Sequence, residues 1–333
     1  MRRPSGRAGG EILALAEQRF GAIHRISYEL LAAGATLAAR GGLSCALLAP
    51  PGLPADELIR RGADRLYYLE HGRFALPEED MHIANLVALM RRIRPRICLI
   101  GATEFGRALA SGAAAALGAG LTADCVGLEI GENGNILQIR PAFNDHVLAA
   151  IETVSAFRIA TVRYREYEEM PRGREGAGEI VRVPVVFPAE GRVRLVGAPS
   201  AEGKDISDAE IVVAGGAGLE ARDIPLLERL AVALGGVVAG SRRSVELGLL
   251  PPSAQVGYSG RRVKPRLYVA CGISGAPQHL SGMNGAEYVV AVNKDAGANI
   301  FRHSDFGIVG DFRDVAPPMI DMFAAARRTG AGQ

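Results

Sequence analysis

The sequence predicts an α/β protein with two domains. Its 333 residues suffice for about two domains of ordinary size. In each half, short apolar runs alternate with segments of helical periodicity, which is typical of βαβ units and parallel sheets. A stretch rich in Arg, Glu, Gly and Pro lies between the halves. We therefore expect an N-terminal α/β domain over 1–190, a linker over 191–204 and a second α/β domain over 205–333.

The first half begins with alternating strands and helices. The expected strands are Ile12–Ala16, Ser44–Ala49, Arg65–Leu69 and Ile97–Ala102, and the expected helices are Ile23–Arg40, Asp56–Gly62, Glu79–Arg92 and Ala108–Leu117. Gly118 and Gly120 are typical stops for the last helix. Consecutive strands are then expected at Cys125–Ile130, Ile136–Arg140, Val147–Ile151 and Phe157–Val162, and two more at Ile180–Phe187 and Arg192–Val196. Their tight turns predict antiparallel or mixed strands added to the parallel sheet.

The second half repeats the α/β pattern. Strands are expected at Ile211–Ala214, Val237–Ala239, Leu267–Cys271, Glu287–Val292 and Gly307–Gly310, with a helix at Ile224–Leu234. Polar and glycine residues concentrate where these strands end. Open parallel sheets bind ligands at the carboxyl edge of their strands. The sequence therefore predicts a ligand site at that edge.

Composition excludes several classes of protein. The net charge of +2, from 38 basic and 36 acidic residues, argues against a nucleic-acid partner. The longest apolar stretches are strand-sized, too short to span a membrane. The four cysteines form no CxxC pair, so a zinc or iron–sulfur site is not expected, and we interpret them as buried side chains. The basic start lacks the apolar run of a secretory signal, which favours a cytoplasmic protein.

A first candidate motif is the G-x-G-x-x-A run at Gly216–Ala221, which follows a strand and precedes a helix as in dinucleotide sites. The next strand ends in Gly240–Arg243 (GSRR) instead of an acidic residue, which suggests a phosphate partner as in NADP sites. A purely structural strand-to-helix turn explains the same glycines. The motif alone leaves both interpretations open.

Three further segments offer polar groups at strand ends. The loop Gln255–Gly260 carries glycines and a serine hydroxyl, and Gly272–His279 forms a glycine-rich turn before an expected helix, as anion sites do. Asn293–Asp295 and Asp311 follow apolar strands and could contact a ribose or an adenine, or only shape turns. The sequence shows no nucleophile, acid/base pair or Walker loop. These features favour a protein that holds a redox cofactor.

Taken together, these segments resemble the alpha (large) subunit of electron-transfer flavoproteins. The resemblance is carried by Ala239–Arg243, Gln255–Gly260, Leu267–Met283, Val292–Asp295, Ile300–Phe301 and Ser304–Asp311, and more weakly by Gly101–Arg107, Leu121–Glu129 and Arg140–Phe143. It implies a heterodimer with a beta subunit, against which the N-terminal domain packs. It also implies a Rossmann-like C-terminal domain that binds FAD.

The resemblance also implies which residues contact the cofactor. They are Ser241, Arg242, Val256, Gly257, Tyr258, Ser259, Ser274, Gly275, Ala276, Pro277, Gln278, His279, Asn293, Asp311 and Phe312. Arg242 would lie over the isoalloxazine, the Ser259 hydroxyl would face N5, and His279 would approach the C2 carbonyl. The segment 274–278 would hold the pyrophosphate and ribityl chain, while Asn293 and Asp311 would bind adenosine. Positive potential from Arg242 and the helix end at His279 would stabilise negative charge on the reduced flavin.

The implied function is electron transport without a small-molecule substrate of its own. FAD would take electrons from a flavin dehydrogenase and pass them to a quinone reductase or another acceptor. Two alternatives stay open. One is an NADP-dependent oxidoreductase built on Gly216–Ala221 and Arg242. The other is a divergent subunit with weakened FAD binding, suggested by Ala217 and Tyr258 where the family commonly has arginine and glutamine.

Overall fold

The computed structural model describes residues 10–19, 22–38, 42–53, 56–142, 147–171, 178–188 and 205–330. The chain divides into two compact units, Met1–Ala201 and Glu202–Gln333, each with its own sheets and core. Both units are α/β with a parallel sheet, which confirms the predicted fold class at this level. The expected linker, 191–204, lies outside the described residues, so the predicted domain boundaries stay a prediction.

A seven-stranded parallel sheet forms the centre of the first unit. The strands described in the whole unit are β1 (Ile12–Ala16), β2 (Gln18–Arg19), β3 (Ala22–Ile23), β4 (Leu43–Ala49), β5 (Arg65–Glu70), β6 (Ile97–Gly101), β7 (Gly120–Cys125), β8 (Gly127–Ile130), β9 (Ile136–Ala142), β10 (Val147–Glu152), β11 (Arg158–Val162) and β12 (Glu179–Arg182). The helices are α1 (Ile26–Leu37), α2 (Asp56–Arg60), α3 (Glu79–Ile93) and α4 (Glu104–Leu117). The large sheet has the order β12-β5-β4-β1-β6-β11-β7, and β2 pairs with β3.

Helices cover both faces of this sheet. Strands β1, β4 and β6 are buried along their whole length, as continuous apolar runs in a doubly covered sheet must be. Leu30 of α1 belongs to the core on one face, and Leu86 of α3 and Leu109 of α4 to the core on the other. Helix α4 begins where Thr103 Oγ1 accepts the Gly106 N–H at 2.9 Å and ends at Gly118, which has a φ of +59°.

The consecutive strands do not all extend the large sheet as predicted. Strands β8, β9 and β10 form a separate antiparallel sheet, whereas β11 joins the large sheet in parallel. The prediction also missed β7, because Gly120 was interpreted as a helix stop and instead begins this strand. Asp124 has a φ of +62° and turns the chain where β7 gives way to β8. This local conformation divides one apolar stretch between two sheets.

Two further predictions for the first unit differ from the structure, and a third is not tested by it. The helix expected from Ile23 begins at Ile26, because Ile23 pairs in the β2–β3 ribbon. The strand expected at Ile180–Phe187 ends at Arg182, since Pro184 supplies no N–H for further pairing. The strand expected at Arg192–Val196 lies outside the described residues.

The second unit contains one five-stranded parallel sheet. Its strands are β13 (Ile211–Gly215), β14 (Val237–Gly240), β15 (Leu267–Cys271), β16 (Tyr288–Asn293) and β17 (Phe306–Val309), and its helices are α5 (Ile224–Leu234), α6 (Arg242–Glu246), α7 (Pro277–Leu280) and α8 (Phe312–Gly330). The strand order is β14-β13-β15-β16-β17, a 2-1-3-4-5 arrangement. Helices α5 and α8 pack on one face, and α8 is an element that the sequence analysis did not predict. The carboxyl edge of this sheet is the predicted location of the site.

The four cysteines are buried, and neither a metal site nor a membrane-spanning helix is found among the described residues. All four cysteines are free and buried, as predicted, and burial raises the pKa of the Cys45 and Cys125 thiols to about 12. Across the described ranges, no group of histidine, cysteine and acidic residues could hold a metal ion. Within those same ranges, no helix combines the length and apolar character that a membrane crossing needs.

Candidate functional site

The loops that follow β13, β14 and β15 hydrogen-bond to one another at the carboxyl edge. The Ser241 N–H donates to the Gly215 carbonyl at 3.0 Å, and the Gly218 N–H donates to the Gly272 carbonyl at 3.0 Å. The strand order reverses direction between β13 and β15. Such a switch point opens the crevice in which parallel sheets bind ligands. The structure therefore brings the predicted segments to one surface of the second unit.

The loop Gln255–Gly260 lies between the end of β14 and helix α7. The Val256 N–H donates to the Gly240 carbonyl at 2.8 Å, and the Tyr258 N–H donates to the Gln278 carbonyl at 2.7 Å. Gly257 has a φ of +143°, and a Cβ there would lie 2.9 Å from the Gln278 carbonyl oxygen. Glycine is therefore required at this close approach. Two segments that are separate in the sequence form one structural unit.

The turn Ser274–Ala276 is clamped to the short helical segment Asn299–His303. The Asn299 side-chain amide donates to the Gly275 carbonyl at 2.7 Å, and the Ile300 N–H donates to the Ser274 carbonyl at 3.1 Å. Gly275 is buried with a φ of +83°, while Ser274 and Ala276 are exposed. The clamp fixes an exposed stretch of backbone beside the first residues of α7. Pro277 and Gln278 of α7 are exposed on the same stretch.

Asn293 and Asp311 are engaged in local contacts at the ends of β16 and β17. The Asn293 amide donates to the Ile273 carbonyl at 2.9 Å. Asp311 accepts the Arg313 N–H at 2.9 Å and pairs with Lys294 Nζ at 2.8 Å, and these contacts hold the pKa of its carboxyl below the usual range. Both side chains thus shape the loops at the edge of the sheet. The next side chain along the chain, Phe312, is buried in the core between α5 and α8, which leaves only its backbone for any ligand.

Arg242, Tyr258 and Ser259 are exposed, and Ser241 is partly exposed. Ser241 caps α6 by accepting the Ser244 N–H at 3.2 Å. The Arg242 side chain is 70% exposed and pairs with Glu246 at 2.8 Å, which lowers the pKa of that carboxyl. Tyr258 is also 70% exposed, and the adjacent Ser259 hydroxyl accepts a hydrogen bond from Gln255. These groups line the open side of the edge.

His279 is the one predicted site residue with a buried ionisable side chain. The residue is 6% exposed, and its Nε2 lies 2.9 Å from the Tyr268 hydroxyl. Its Nδ1 is buried and has no hydrogen-bond partner among the described residues. Burial lowers the pKa of His279 to about 4, although an interaction with the Val256 backbone acts in the opposite direction. The imidazole is neutral at pH 7, so His279 offers a hydrogen-bonding group to a ligand.

The first candidate motif, Gly216–Ala221, has a structural explanation. A Cβ at Gly216 would lie 2.2 Å from the Gly272 carbonyl oxygen, so this glycine allows the turn to pack against the loop after β15. Glu220 and Asp223 lie just ahead of α5. Arg313 contacts both carboxylates and holds their pKa values below the usual range. Two carboxylates at the start of this helix would repel the negative charge of a phosphate. The structure thus favours the structural turn over an NADP site.

Sequence reasoning missed two residues of the edge. Asn299 fixes Gly275, but an asparagine in a loop has no pattern that predicts such a contact. Tyr268 lies within an apolar strand, where its ring suits the core. Its hydroxyl was a usable signal, because a buried tyrosine needs a partner.

Comparison with known proteins relates both units of the chain to one family. A family model described as the electron transfer flavoprotein domain matches residues 12–188, and one described as the electron transfer flavoprotein FAD-binding domain matches residues 205–284. The electron transfer flavoprotein subunit alpha of Clostridium acetobutylicum is 37% identical over 327 residues, which cover 95% of this chain and 97% of that protein. The chain belongs to the electron transfer flavoprotein family. Its place there is among the alpha subunits.

Two further relatives also match over most of this chain. The electron transfer flavoprotein subunit alpha of Thermoanaerobacterium thermosaccharolyticum is 35% identical, over 93% of this chain and 97% of that protein. The lactate dehydrogenase (NAD(+),ferredoxin) subunit LctC of Acetobacterium woodii is 34% identical, over 91% of this chain and 74% of that protein. The resemblance deduced from the motifs is thereby confirmed.

The cofactor of this family is FAD, and the residues of the edge suit a flavin nucleotide. The buried Nδ1 of His279 lacks a partner among the described residues, as expected of a group that binds a ligand. Hydroxyls of Ser241, Ser259 and Ser274 and the guanidinium of Arg242 supply donors for carbonyl and phosphate oxygens. The chemistry of the edge therefore fits the cofactor.

Proposed function

We propose that this electron transfer flavoprotein alpha subunit holds FAD at the carboxyl edge of its second unit and thereby carries electrons between protein partners. The observation that carries the proposal is the convergence of the 256–259 loop, the 274–278 segment and the buried His279 imidazole at one edge. A Rossmann-like FAD-binding domain is part of this proposal, and the 2-1-3-4-5 order of the parallel sheet supports a ligand crevice at its switch point.

The proposal includes the specific roles that the resemblance implies for each group. We assign the pyrophosphate and ribityl chain to Ser274–Gln278, in which all residues except Gly275 are exposed and the Gly275 carbonyl is held by Asn299. Ser241 and Arg242 directly follow Gly240, whose carbonyl accepts the Val256 N–H, and we assign both residues and the Val256–Ser259 loop to the isoalloxazine. The adenosine end is assigned to Asn293 and Asp311, with the backbone of Phe312. FAD supplies the redox chemistry, and the chain binds, orients and electrostatically tunes it.

The partners of this subunit are proposed from the family and from the surface of the first unit. A beta subunit would complete a heterodimer by packing against this unit. Apolar side chains stand at its surface on and after β10, where Leu148 is 64% and Val154 88% exposed. Electrons would come from a flavin dehydrogenase and leave to a quinone reductase or another acceptor. We place this carrier, which needs no small-molecule substrate of its own, in the cytoplasm.

Native mass spectrometry of the chain co-purified with its genomic neighbour tests this function. The expected result is a heterodimer that retains the mass of FAD. A second FAD would indicate a further flavin site in the beta subunit. A flavin-free heterodimer that FAD cannot reconstitute would instead support the divergent subunit with weakened binding. A flavin-free homo-oligomer would refute the proposed function.

Removing the charge of Arg242 should make the flavin harder to reduce. We expect Arg242→Ala to lower the midpoint potential of the first one-electron step by about 60 mV, a tenfold change in its equilibrium constant. The physical reason is the loss of a cation near developing negative charge. Arg243→Ala is the matched control, because Arg243 is similarly exposed and also pairs with Glu246. Equal shifts in both variants, measured by spectroelectrochemistry, would contradict the role of Arg242.

A further inference from the structure

Tyr268 and His279 form a buried pair beneath the edge of the sheet. Tyr268 lies on β15, a central strand paired with β13 on one side and β16 on the other, and its side chain is fully buried. Its hydroxyl lies 2.9 Å from Nε2 of His279. Among the described residues, this is the hydroxyl's sole hydrogen-bond partner. A central strand makes the hydroxyl a fixed anchor for the imidazole.

The direction of this hydrogen bond determines the tautomer of His279. Both groups are neutral at pH 7, because burial raises the pKa of Tyr268 well above 10 and lowers the pKa of His279 to about 4. If Nε2–H donated to the phenol oxygen, the tyrosine O–H would be left buried without an acceptor among the described residues. If the O–H donates to Nε2, that proton is satisfied. The second arrangement places the ring proton on Nδ1.

The environment of Nδ1 agrees with this direction. The Val256 backbone interacts with the imidazole and raises the pKa of His279, as a carbonyl that accepts a ring N–H does. The contact does not give Nδ1 a well-formed hydrogen bond, and this atom has no partner in the described part of the chain. A buried N–H without a partner is rare and needs an explanation. A ligand acceptor supplies one.

We propose that Tyr268 is a positioning residue, which donates its hydroxyl proton to Nε2 of His279 and so presents Nδ1–H to a carbonyl oxygen of the flavin's pyrimidine ring. The proposal rests on the proposed function, since it assigns the acceptor to FAD. Negative charge on the reduced flavin collects at this carbonyl, so an N–H donor stabilises the reduced form more than the oxidised one. Tyr268 would therefore raise the flavin potential without touching the cofactor.

The test uses the FAD-loaded heterodimer and two readouts. Histidine-ring ¹⁵N shifts report which ring nitrogen carries the proton, and the signals of His279 are assigned by their loss in His279→Asn. Wild type is expected to show a protonated Nδ1 and an unprotonated Nε2. Tyr268→Phe, which keeps the ring but removes the hydroxyl, is expected to mix the two tautomers. It should lower the two-electron midpoint potential by about 30 mV, which is a tenfold change in equilibrium constant.

Two further variants separate positioning from a structural effect. Tyr288→Phe removes an exposed hydroxyl from the neighbouring strand and should change neither readout. Asparagine at 279 places an amide N–H near the position of Nδ1 without help from Tyr268. In that background, Tyr268→Phe is expected to leave the potential unchanged. A full additional shift there would mean that the hydroxyl acts through stability and would overturn the proposal.

The failure of this inference is distinct from failure of the proposed function. A wild-type complex without FAD refutes the function, but its ring shifts still report the tautomer. An FAD-loaded complex with the proton on Nε2 overturns the role of Tyr268 while the function stands. An unchanged ring pattern and potential in Tyr268→Phe overturns it too. If that variant does not fold, the tautomer in the wild type decides.

Discussion

Replacing Gly275 with alanine is expected to lower the affinity of the heterodimer for FAD by about 100-fold. A Cβ at this position would lie 2.3 Å from the Ile300 nitrogen and 2.8 Å from the Asn299 carbonyl carbon, both backbone atoms that cannot rotate away. The φ of +83° adds strain for any residue with a side chain. The turn relieves this strain and overlap by leaving the conformation that binds the cofactor, and restoring that conformation costs about 3 kcal/mol, which corresponds to the expected loss in affinity. Flavin fluorescence after dilution of the complex measures it.

Gly248→Ala is the matched control for this substitution. Gly248 has a φ of +71° but nothing within 4 Å of its added Cβ, so alanine there brings the strain without the overlap. We expect it to reduce stability by about 1 kcal/mol and to leave FAD affinity unchanged. Circular dichroism shows whether Gly275→Ala still folds. A folded Gly275→Ala variant that retains FAD as wild type does would contradict the assignment of the 274–278 segment to the cofactor.

The parallel cores were predictable because their strands are continuous apolar runs. The limits predicted for β1 and β15 match the structure, since burial on both faces marks such strands plainly. The division between β7 and β8 was not predictable, because it depends on one backbone conformation at Asp124. That conformation is supported by a hydrogen bond from the Asp124 N–H to the Thr161 hydroxyl, 37 residues further along. Contacts between distant residues are absent from local patterns.

The candidate site was predictable as segments but not as geometry. The segments at 255–260 and 272–279 were found from glycine and polar residues at strand ends, and the structure joins them through the Tyr258–Gln278 hydrogen bond. The sequence could not show that Gly216 packs against another loop, because its motif is the same in both interpretations. Nor could it show that His279 is neutral, since that follows from burial in the folded chain.

An unsatisfied buried carboxyl in the first unit affects stability independently of the flavin site. Glu29 of α1 is fully buried; its Oε2 accepts the Arg165 N–H at 2.7 Å, while its Oε1 has no hydrogen bond among the described residues. Arg25 lies 3.8 Å away but also pairs with Glu169 at 2.6 Å. Burial raises the pKa of Glu29 to about 7. The hydrogen bond from Arg165 and the charge of Arg25 lower this pKa, whereas the charge of Glu169 raises it.

Glu29→Gln is therefore expected to stabilise the protein, and more so as the pH rises. The folded state holds the Glu29 proton up to about pH 7, whereas the unfolded chain releases it near 4.5. Wild type thus loses stability as the pH rises between these two values, and the loss is complete above the folded pKa. Glutamine stays neutral and still accepts the Arg165 N–H. Its gain in free energy of unfolding should grow by about 2 kcal/mol between pH 5.5 and pH 8.

Urea denaturation at the two pH values measures this gain, with Glu132→Gln as the matched control. Glu132 is exposed in the turn between β8 and β9, so the same chemical change there removes a carboxylate that water already solvates. Its effect should stay within about 0.5 kcal/mol at either pH. A constant difference between Glu29→Gln and wild type would mean that Glu29 does not titrate between these pH values in the folded protein. A destabilised variant at pH 8 would show that the attraction of Arg25 and Arg165 outweighs the cost of burying the charge.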